Sequence, residues 1–329
     1  MTAPPPDPPR PWPKLPLWSV IALSMGIAAL LVLGLVLIVG GEDDADVTDA
    51  GRESVAAPAA EPSDYPYPSD DPTPGTTTQP RQENYAGSGP DKIMKLAEHP
   101  MLADANAGLP NLACQLPPWR SGPAAAKEYF RAATGCLNAA WEPFLRQHNL
   151  PFTPPDLRFP TDDEFESDCG TITVGVGTAA YYCEGELFLP YHGLQTDQYG
   201  DNPGVYLALI AHEYGHHVQE LSGIMDAAWE KIYAAGEHSR AGEEMSRRKE
   251  LQAQCFSGMF LGSHVERGGS ITREMYNQAW EDQETRGDDT SGGHNHGSNE
   301  NYAAWWRIGA IDNRIVDCNT FTASRAEVR

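Results

Sequence analysis

Positive charge is scarce in this chain: 23 Lys and Arg stand against 46 Asp and Glu, for a formal net charge of −23. No segment holds a basic cluster large enough to neutralise a run of phosphates, which excludes nucleic acid as a partner. The six cysteines include no C-x-x-C pair, which excludes a zinc ribbon. Charge is missing altogether from residues 15–41, "LPLWSVIALSMGIAALLVLGLVLIVGG". At 1.5 Å per residue such a run crosses a hydrocarbon core of about 30 Å with some tilt, so it reads as a transmembrane helix. A cleavable signal peptide would have a shorter apolar region ending in an A-x-A-like site, whereas this run passes directly into "GEDDAD". Aliphatic residues are scarce in residues 42–90, where acids, Pro, Ser, Thr and Gly dominate. Too little apolar surface is present there to offset the entropy of ordering, and the segment reads as a disordered acidic stalk.

These absences set the organisation. Arg10 and Lys14 precede the apolar run, and Glu42, Asp43, Asp44 and Asp46 follow it. The positive-inside bias therefore makes residues 1–14 a cytoplasmic N-terminus, 15–41 a single-pass anchor in the cell membrane, and everything beyond extracytoplasmic. Residues 91–329 have mixed composition and periodic apolar segments, as expected of one domain with its own core. All six cysteines, Cys114, Cys136, Cys169, Cys183, Cys255 and Cys318, fall in this domain, and on the outer side of a membrane they are expected to form disulfides. Sequential pairing is the expectation, because Cys169 and Cys183 flank a predicted hairpin.

The most informative stretch is "DNPGVYLALIAHEYGHHVQELSG", residues 201–223. Asn202 is a candidate N-cap, Pro203 suits the first helical position, and Gly223 suits the end. Leu207, Ile210, Tyr214, Val218 and Leu221 recur at helical spacing and predict a core-facing stripe. His212 and His216 lie four apart on another face with Glu213 beside them, the H-E-x-x-H arrangement. Two imidazoles one turn apart offer nitrogens to one zinc ion, and the glutamate is placed to take a proton from water at the metal. His217 is not co-facial with the pair and is expected to be a partner of Glu213 or a surface residue. A catalytic zinc needs three protein ligands and one open position, so a third ligand must lie elsewhere. The segment 246–263 has a second helical pattern, with Leu251, Cys255, Phe256, Met259 and Phe260 inward and Glu250 at its start. By spacing alone Glu250 is one candidate among several acids, including Glu243 and Glu244.

"HEYGHHVQ", "ELQAQC", "HGS" and "AAWWRIGAIDN", taken together, resemble the neutral zinc metallopeptidase family, whose members carry an H-E-x-x-H-H-V-Q helix, a later E-L-Q-A-D-C segment and an H-G-S/T motif. The likeness spans roughly residues 110–322. It implies a zincin-like α+β fold, mostly helical, with a small sheet above the active-site helix. It also implies one catalytic zinc held by His212, His216 and Glu250, with Glu213 as general base. Where the family has Asp, this chain has Gln254. An amide oxygen accepts the second N–H of a ligand imidazole, as a carboxylate does, but without the charge that raises imidazole basicity.

"CGTITVGVGTAAYYCEGELFLPYH" alternates β-branched and aromatic residues with small ones, and Glu184-Gly185 predicts its turn. The hairpin is either a substrate-binding edge or a disulfide-stapled structural element. "SGGHNHGSNENYAAWW" places His294 and His296 in a Gly-rich loop before a helix capped by Ser298. His296, within H-G-S, is the candidate donor to a transition-state oxyanion, with Tyr302 behind it. The expected activity is hydrolysis of peptide or protein substrates. The alternatives are an inactive metal-binding interaction module and a hydrolase of peptidoglycan cross-links.

Overall fold

The computed structural model describes residues 90–175 and 178–329. The segments read as cytoplasmic N-terminus (1–14), membrane anchor (15–41) and nearly all of the stalk (42–89) lie outside the described residues. Among the described residues no helix is long and apolar enough to cross a membrane.

The architecture is mostly helical with two small sheets, an α+β arrangement. Helix α1 (Pro123–Gln147) is followed by five short strands: β1 (Asp156–Arg158), β2 (Glu164–Ser167), β3 (Gly170–Thr173), β4 (Tyr181–Cys183) and β5 (Glu186–Phe188). Then come α2 (Pro203–Ser222), α3 (Ile224–Ala235), α4 (Arg240–His264), α5 (Arg273–Asp282) and α6 (Asn299–Asp312). One sheet has the order β1-β5-β4, with β1 parallel and β4 antiparallel to β5; β2 and β3 form a separate hairpin. The predicted Glu184-Gly185 turn connects β4 to β5, and both residues take positive φ (47° and 86°), the backbone a two-residue hairpin turn demands.

The expected stripe of α2 is core: Leu207, Ile210, Tyr214, Val218 and Leu221 are all buried. The rest of the helix is buried too, apart from the partly exposed Pro203, Leu209 and Glu220, because α1, α4, α5 and β4 surround it. Helix α4 begins at Arg240, capped by the Ser239 hydroxyl, which accepts from the Gly242 N–H at 3.1 Å. It therefore starts earlier than its apolar pattern suggests, since the polar run 240–249 carries no stripe but is built of good helix formers. Glu250 sits mid-helix, not at its start. Two glycines set the helix spacing. A Cβ on Gly258 would lie 1.9 Å from the Trp306 carbonyl oxygen of α6, and one on Gly215 would lie 2.8 Å from that of Ala253, so α4 lies against both neighbours almost backbone to backbone.

The cysteines pair as Cys114–Cys136, Cys169–Cys183 and Cys255–Cys318, with Cα separations of 5.6, 6.1 and 5.6 Å. The sequential pairing is the one observed. Its middle bond ties the turn of the β2–β3 hairpin to the end of β4, so it staples one hairpin to another.

Candidate metal centre

Helix α2 carries the first two donors. Pro203 occupies its first turn and Gly223, at φ 88°, ends it. The Asn202 side chain makes no capping bond; Gln278 Oε1 of α5 accepts the Gly204 N–H instead, at 3.0 Å. One turn apart, the His212 and His216 rings meet edge to face at 4.8 Å between centroids. The close approach at Gly215 then lets α4 deliver Glu250 between them. Its Oε2 lies 2.9 Å from His216 Nε2 and 3.4 Å from His212 Nε2. The other oxygen, Oε1, lies 3.0 Å from Lys249 Nζ, whose ammonium also rests over the Trp229 ring at 4.6 Å. Burial alone would raise the Glu250 carboxyl. The charges of His216 and Lys249 and the hydrogen bonds to both histidines outweigh it and hold the group well below the usual carboxylate range.

Behind each imidazole stands an amide. His212 Nδ1 is 3.0 Å from Gln254 Oε1, and His216 Nδ1 is 2.9 Å from Gln219 Oε1. Each amide is oriented by what its nitrogen does. Gln254 Nε2 donates to Gln283 Oε1, and Gln219 Nε2 donates to the Lys249 carbonyl (2.8 Å) and to Gln252 Oε1 (3.0 Å). Both oxygens therefore face the rings, and both rings donate from Nδ1. His216 thus has acceptors against both of its nitrogens, Gln219 on one side and Glu250 on the other. A neutral imidazole can donate to only one of them; the arrangement calls for an imidazolium or for a cation between Nε2 and Oε2. Two imidazole nitrogens and a carboxylate oxygen form the His2Glu donor set that zinc takes, so the residues fit that metal.

Glu213 is buried beside this cluster. Desolvation pushes its carboxyl up to about 7, helped by the Glu250 charge and opposed by His212, Lys249 and the Tyr182 backbone amide. His296 reaches the same place from the loop before α6. Its Nε2 lies 3.8 Å from Glu250 Oε2, and donor atoms of His212, Glu250 and His296 all fall within 4.8 Å of one another. The loop is held by Asp288, whose carboxylate accepts the backbone N–H groups of Asn295, His296 and Gly297 at 2.8–3.1 Å. Tyr302 stands near, its ring centroid 6.0 Å from that of His212 and 6.1 Å from that of His296.

The structure thus brings together His212, Glu213, His216, Glu250, His296 and Gln254. It leaves His294 exposed, and among the described residues its carbonyl accepts from Arg247. Glu244 pairs with Arg248 and Arg325, away from the cluster. His217 corrects the expectation of a Glu213 partner or surface residue. It is 1% exposed, lies 3.1 Å from the Tyr182 hydroxyl through Nδ1, and donates from Nε2 to the Thr153 carbonyl at 2.8 Å. Helix α2 has no solvent face at that point, so an imidazole there must find internal partners. Sequence reasoning missed Gln219, Lys249, Gln283 and Asp288. Helical spacing from His216 could have flagged Gln219. Gln283 comes from a different element, and no local signal marks it.

A family profile described as "Putative neutral zinc metallopeptidase" matches residues 119–321, more than half of the chain. The chain belongs to this family. The metallopeptidase match runs from just before α1 to the segment after Cys318 and so contains every residue of the cluster. Similar proteins include the uncharacterized protein Rv2575 of Mycobacterium tuberculosis, 28% identical over 220 residues that cover 58% of this chain and 70% of that one. The uncharacterized protein YpfJ of Escherichia coli is 32% identical over 127 residues, covering 35% of this chain and 43% of that one. No solved structure matches.

Proposed function

We propose that this chain is a membrane-anchored, extracytoplasmic peptidase that hydrolyses peptide bonds with one zinc ion held by His212, His216 and Glu250. The observation that carries the reading is the convergence of both histidine Nε2 atoms on one Glu250 oxygen, with Glu213 buried beside them. Zinc in such a set polarises a carbonyl and acidifies water. Glu213 takes the proton of the attacking water on its carboxylate and hands it to the leaving amine nitrogen. A carboxyl near 7 suits both transfers at neutral pH. Gln254 and Gln219 keep Nδ1 of each imidazole protonated, so that Nε2 presents its lone pair. His296, a third exposed, is free to turn towards the oxygen that gains charge in the transition state. Strand β4, at the sheet edge beside α2, offers backbone groups to an extended peptide. Anchoring and orientation rest on the uncharged run 15–41, with basic residues before it and acids after it.

A second reading follows from the proximity of His296 to Glu250 and His212: His296 replaces His216 as the third ligand. Zinc content decides between them. Under the first reading, full-length His216→Ala loses zinc and His296→Ala retains it; the reverse result selects the second. Peptide cleavage by the zinc-loaded wild type, abolished by chelator and restored by zinc, is the expected activity. Zinc binding without any cleavage would leave an inactive metal-binding module.

A further inference from the structure

Among the described residues, Met94, Tyr233 and Ile311 are the large apolar side chains that stand more than half exposed. A single such residue is ordinary on a surface. Tyr233, at 66%, is part of a group that leads to the metal centre. It lies four residues after Trp229 on α3, and the two rings stack at 5.3 Å between centroids with their planes 21° apart. Trp229 is partly exposed and packs against the core, which fixes this aromatic platform in place. Lys249 Nζ rests 4.6 Å from the Trp229 ring centroid and 3.0 Å from Glu250 Oε1. No step from Tyr233 to the carboxylate that enters between the two histidines therefore exceeds 5.3 Å. Tyr181 of the edge strand β4 shares these surroundings: burial raises its phenol first, and the charges of Glu213, Glu250 and Tyr233 raise it further. The platform thus adjoins both the metal centre and the strand edge that offers backbone groups to a peptide.

An extended peptide advances about 3.3 Å per residue and sends successive side chains to opposite faces. A chain seated on the β4 edge with its reacting bond at the metal centre therefore brings a neighbouring residue's side chain within reach of Trp229 and Tyr233. Three classes of side chain suit the platform poorly. A carboxylate would face ring surfaces whose quadrupole is negative, and the Lys249 ammonium is already paired with Glu250. A cation would crowd the ammonium that already occupies the Trp229 ring. An alanine-sized group would cover too little of either ring. A neutral aromatic ring gains on every count: it extends the stack, removes exposed apolar surface from water and adds no charge. We infer that Trp229 and Tyr233 form a specificity subsite for an aromatic side chain, that of Phe, Tyr or Trp, on a substrate residue adjoining the bond cleaved at the metal centre. The inference rests on the peptidase reading of that centre and names a class of substrate for it.

The test uses the full-length chain, zinc-free and zinc-loaded. The probes are capped hexa-alanine and four sets of its derivatives, in which Phe, Leu, Lys or Glu replaces each alanine in turn. Equilibrium binding to the zinc-free protein is measured first, so that turnover is not needed. For at least one position, the Phe peptide is expected to bind about tenfold more tightly than hexa-alanine and about threefold more tightly than its Leu counterpart, with no gain from Lys or Glu. Tyr233→Ser should remove that preference, and Tyr233→Phe, which keeps the ring, should retain it. Ile311→Ser, which removes an equally exposed side chain elsewhere, should change nothing. No binding of any peptide, equal binding of Phe and Leu at every position, a preference for Lys or Glu, or a Phe preference untouched by Tyr233→Ser would overturn the subsite. Its loss in Ile311→Ser or in Tyr233→Phe would overturn it too. With zinc, the cut should fall at a bond of the Phe residue, and cuts placed without regard to Phe would overturn the assignment. If the Phe preference responds to the variants as expected but the zinc-loaded protein cleaves nothing, the aromatic site stands and the peptidase reading falls. Chelator-sensitive cleavage without preference has the opposite meaning.

Discussion

Lys249 Nζ lies 3.0 Å from Glu250 Oε1, so the two oxygens of one buried carboxylate are divided between an ammonium and a pair of histidines. The neighbours differ in permanence: Lys249 belongs to the chain, whereas under the proposed function a zinc ion would complete the histidine side. Lys249→Met should therefore destabilise the zinc-free protein by about 1–3 kcal/mol, the cost of a buried acceptor left bare. Added zinc should shrink that difference, because the ion supplies the missing positive charge. Urea unfolding with and without zinc measures both quantities. Equal stability of variant and wild type without zinc would show that Glu250 does not depend on the ammonium.

Glu213 takes part in chemistry without holding the metal in the proposed mechanism. Glu213→Gln keeps the shape and the burial but removes the basic oxygen. It is expected to bind zinc as the wild type does and to lose at least about 100-fold in turnover. Zinc content measured beside kcat separates the roles, and a parental rate in this variant would end the proton-transfer assignment.

The Gln254 amide satisfies two partners at once, His212 and Gln283. Asp in its place would be one methylene shorter and could not donate to Gln283. Gln254→Glu is the better probe of charge, because it keeps the length and adds the negative partner that strengthens imidazole donation. Chelator competition is expected to find zinc bound about 10-fold more tightly in Gln254→Glu and about 10-fold more weakly in Gln254→Leu, the lower end of effects from groups that orient a ligand histidine. If the two variants bind alike, this residue does not tune the site.

Away from the site, His99 makes stability depend on pH. Burial lowers its pKa from 6.5, and its hydrogen bonds require the neutral ring: Nε2 donates to the Ser222 carbonyl at 3.1 Å and Nδ1 accepts the Met101 N–H at 3.2 Å. Below pH 6.5 the unfolded chain takes up a proton here that the folded chain refuses. The contribution is thus complete above 6.5 and is lost as pH falls towards the depressed folded value. Urea midpoints should decline from pH 7.5 to 5.5 in the wild type. His99→Gln should start lower and decline less, and parallel curves for the two proteins would exclude His99 as the source.

Local rules made much of this protein legible from its residues. Helix α2 was readable end to end because Pro203, the apolar stripe and Gly223 act within one turn of themselves. The Glu184-Gly185 turn was readable because two residues with positive φ are what a tight hairpin needs. Pairing His212 with His216 required only the 3.6-residue repeat. Glu250 was different: several acids had equal claim by spacing, and likeness to a family singled it out before any physical reason was visible.

That reason is tertiary. Gly215 has no side chain, so α4 approaches α2 closely enough for Glu250 to enter between two imidazoles, and no pattern along either helix encodes the distance between them. Burial of α2 around position 217 turned His217 from an expected surface or Glu213-paired residue into an internal strut between Tyr182 and Thr153. The same packing brought Gln283 to Gln254, although the two residues lie on separate elements. Sequence by itself determined helix α2, the Glu184-Gly185 turn and the paired histidines, because those depend on residues a few positions apart. Tertiary structure decided the third donor and the amides behind the rings, because hydrogen-bond satisfaction in a core is settled only by what packing brings within about 3 Å.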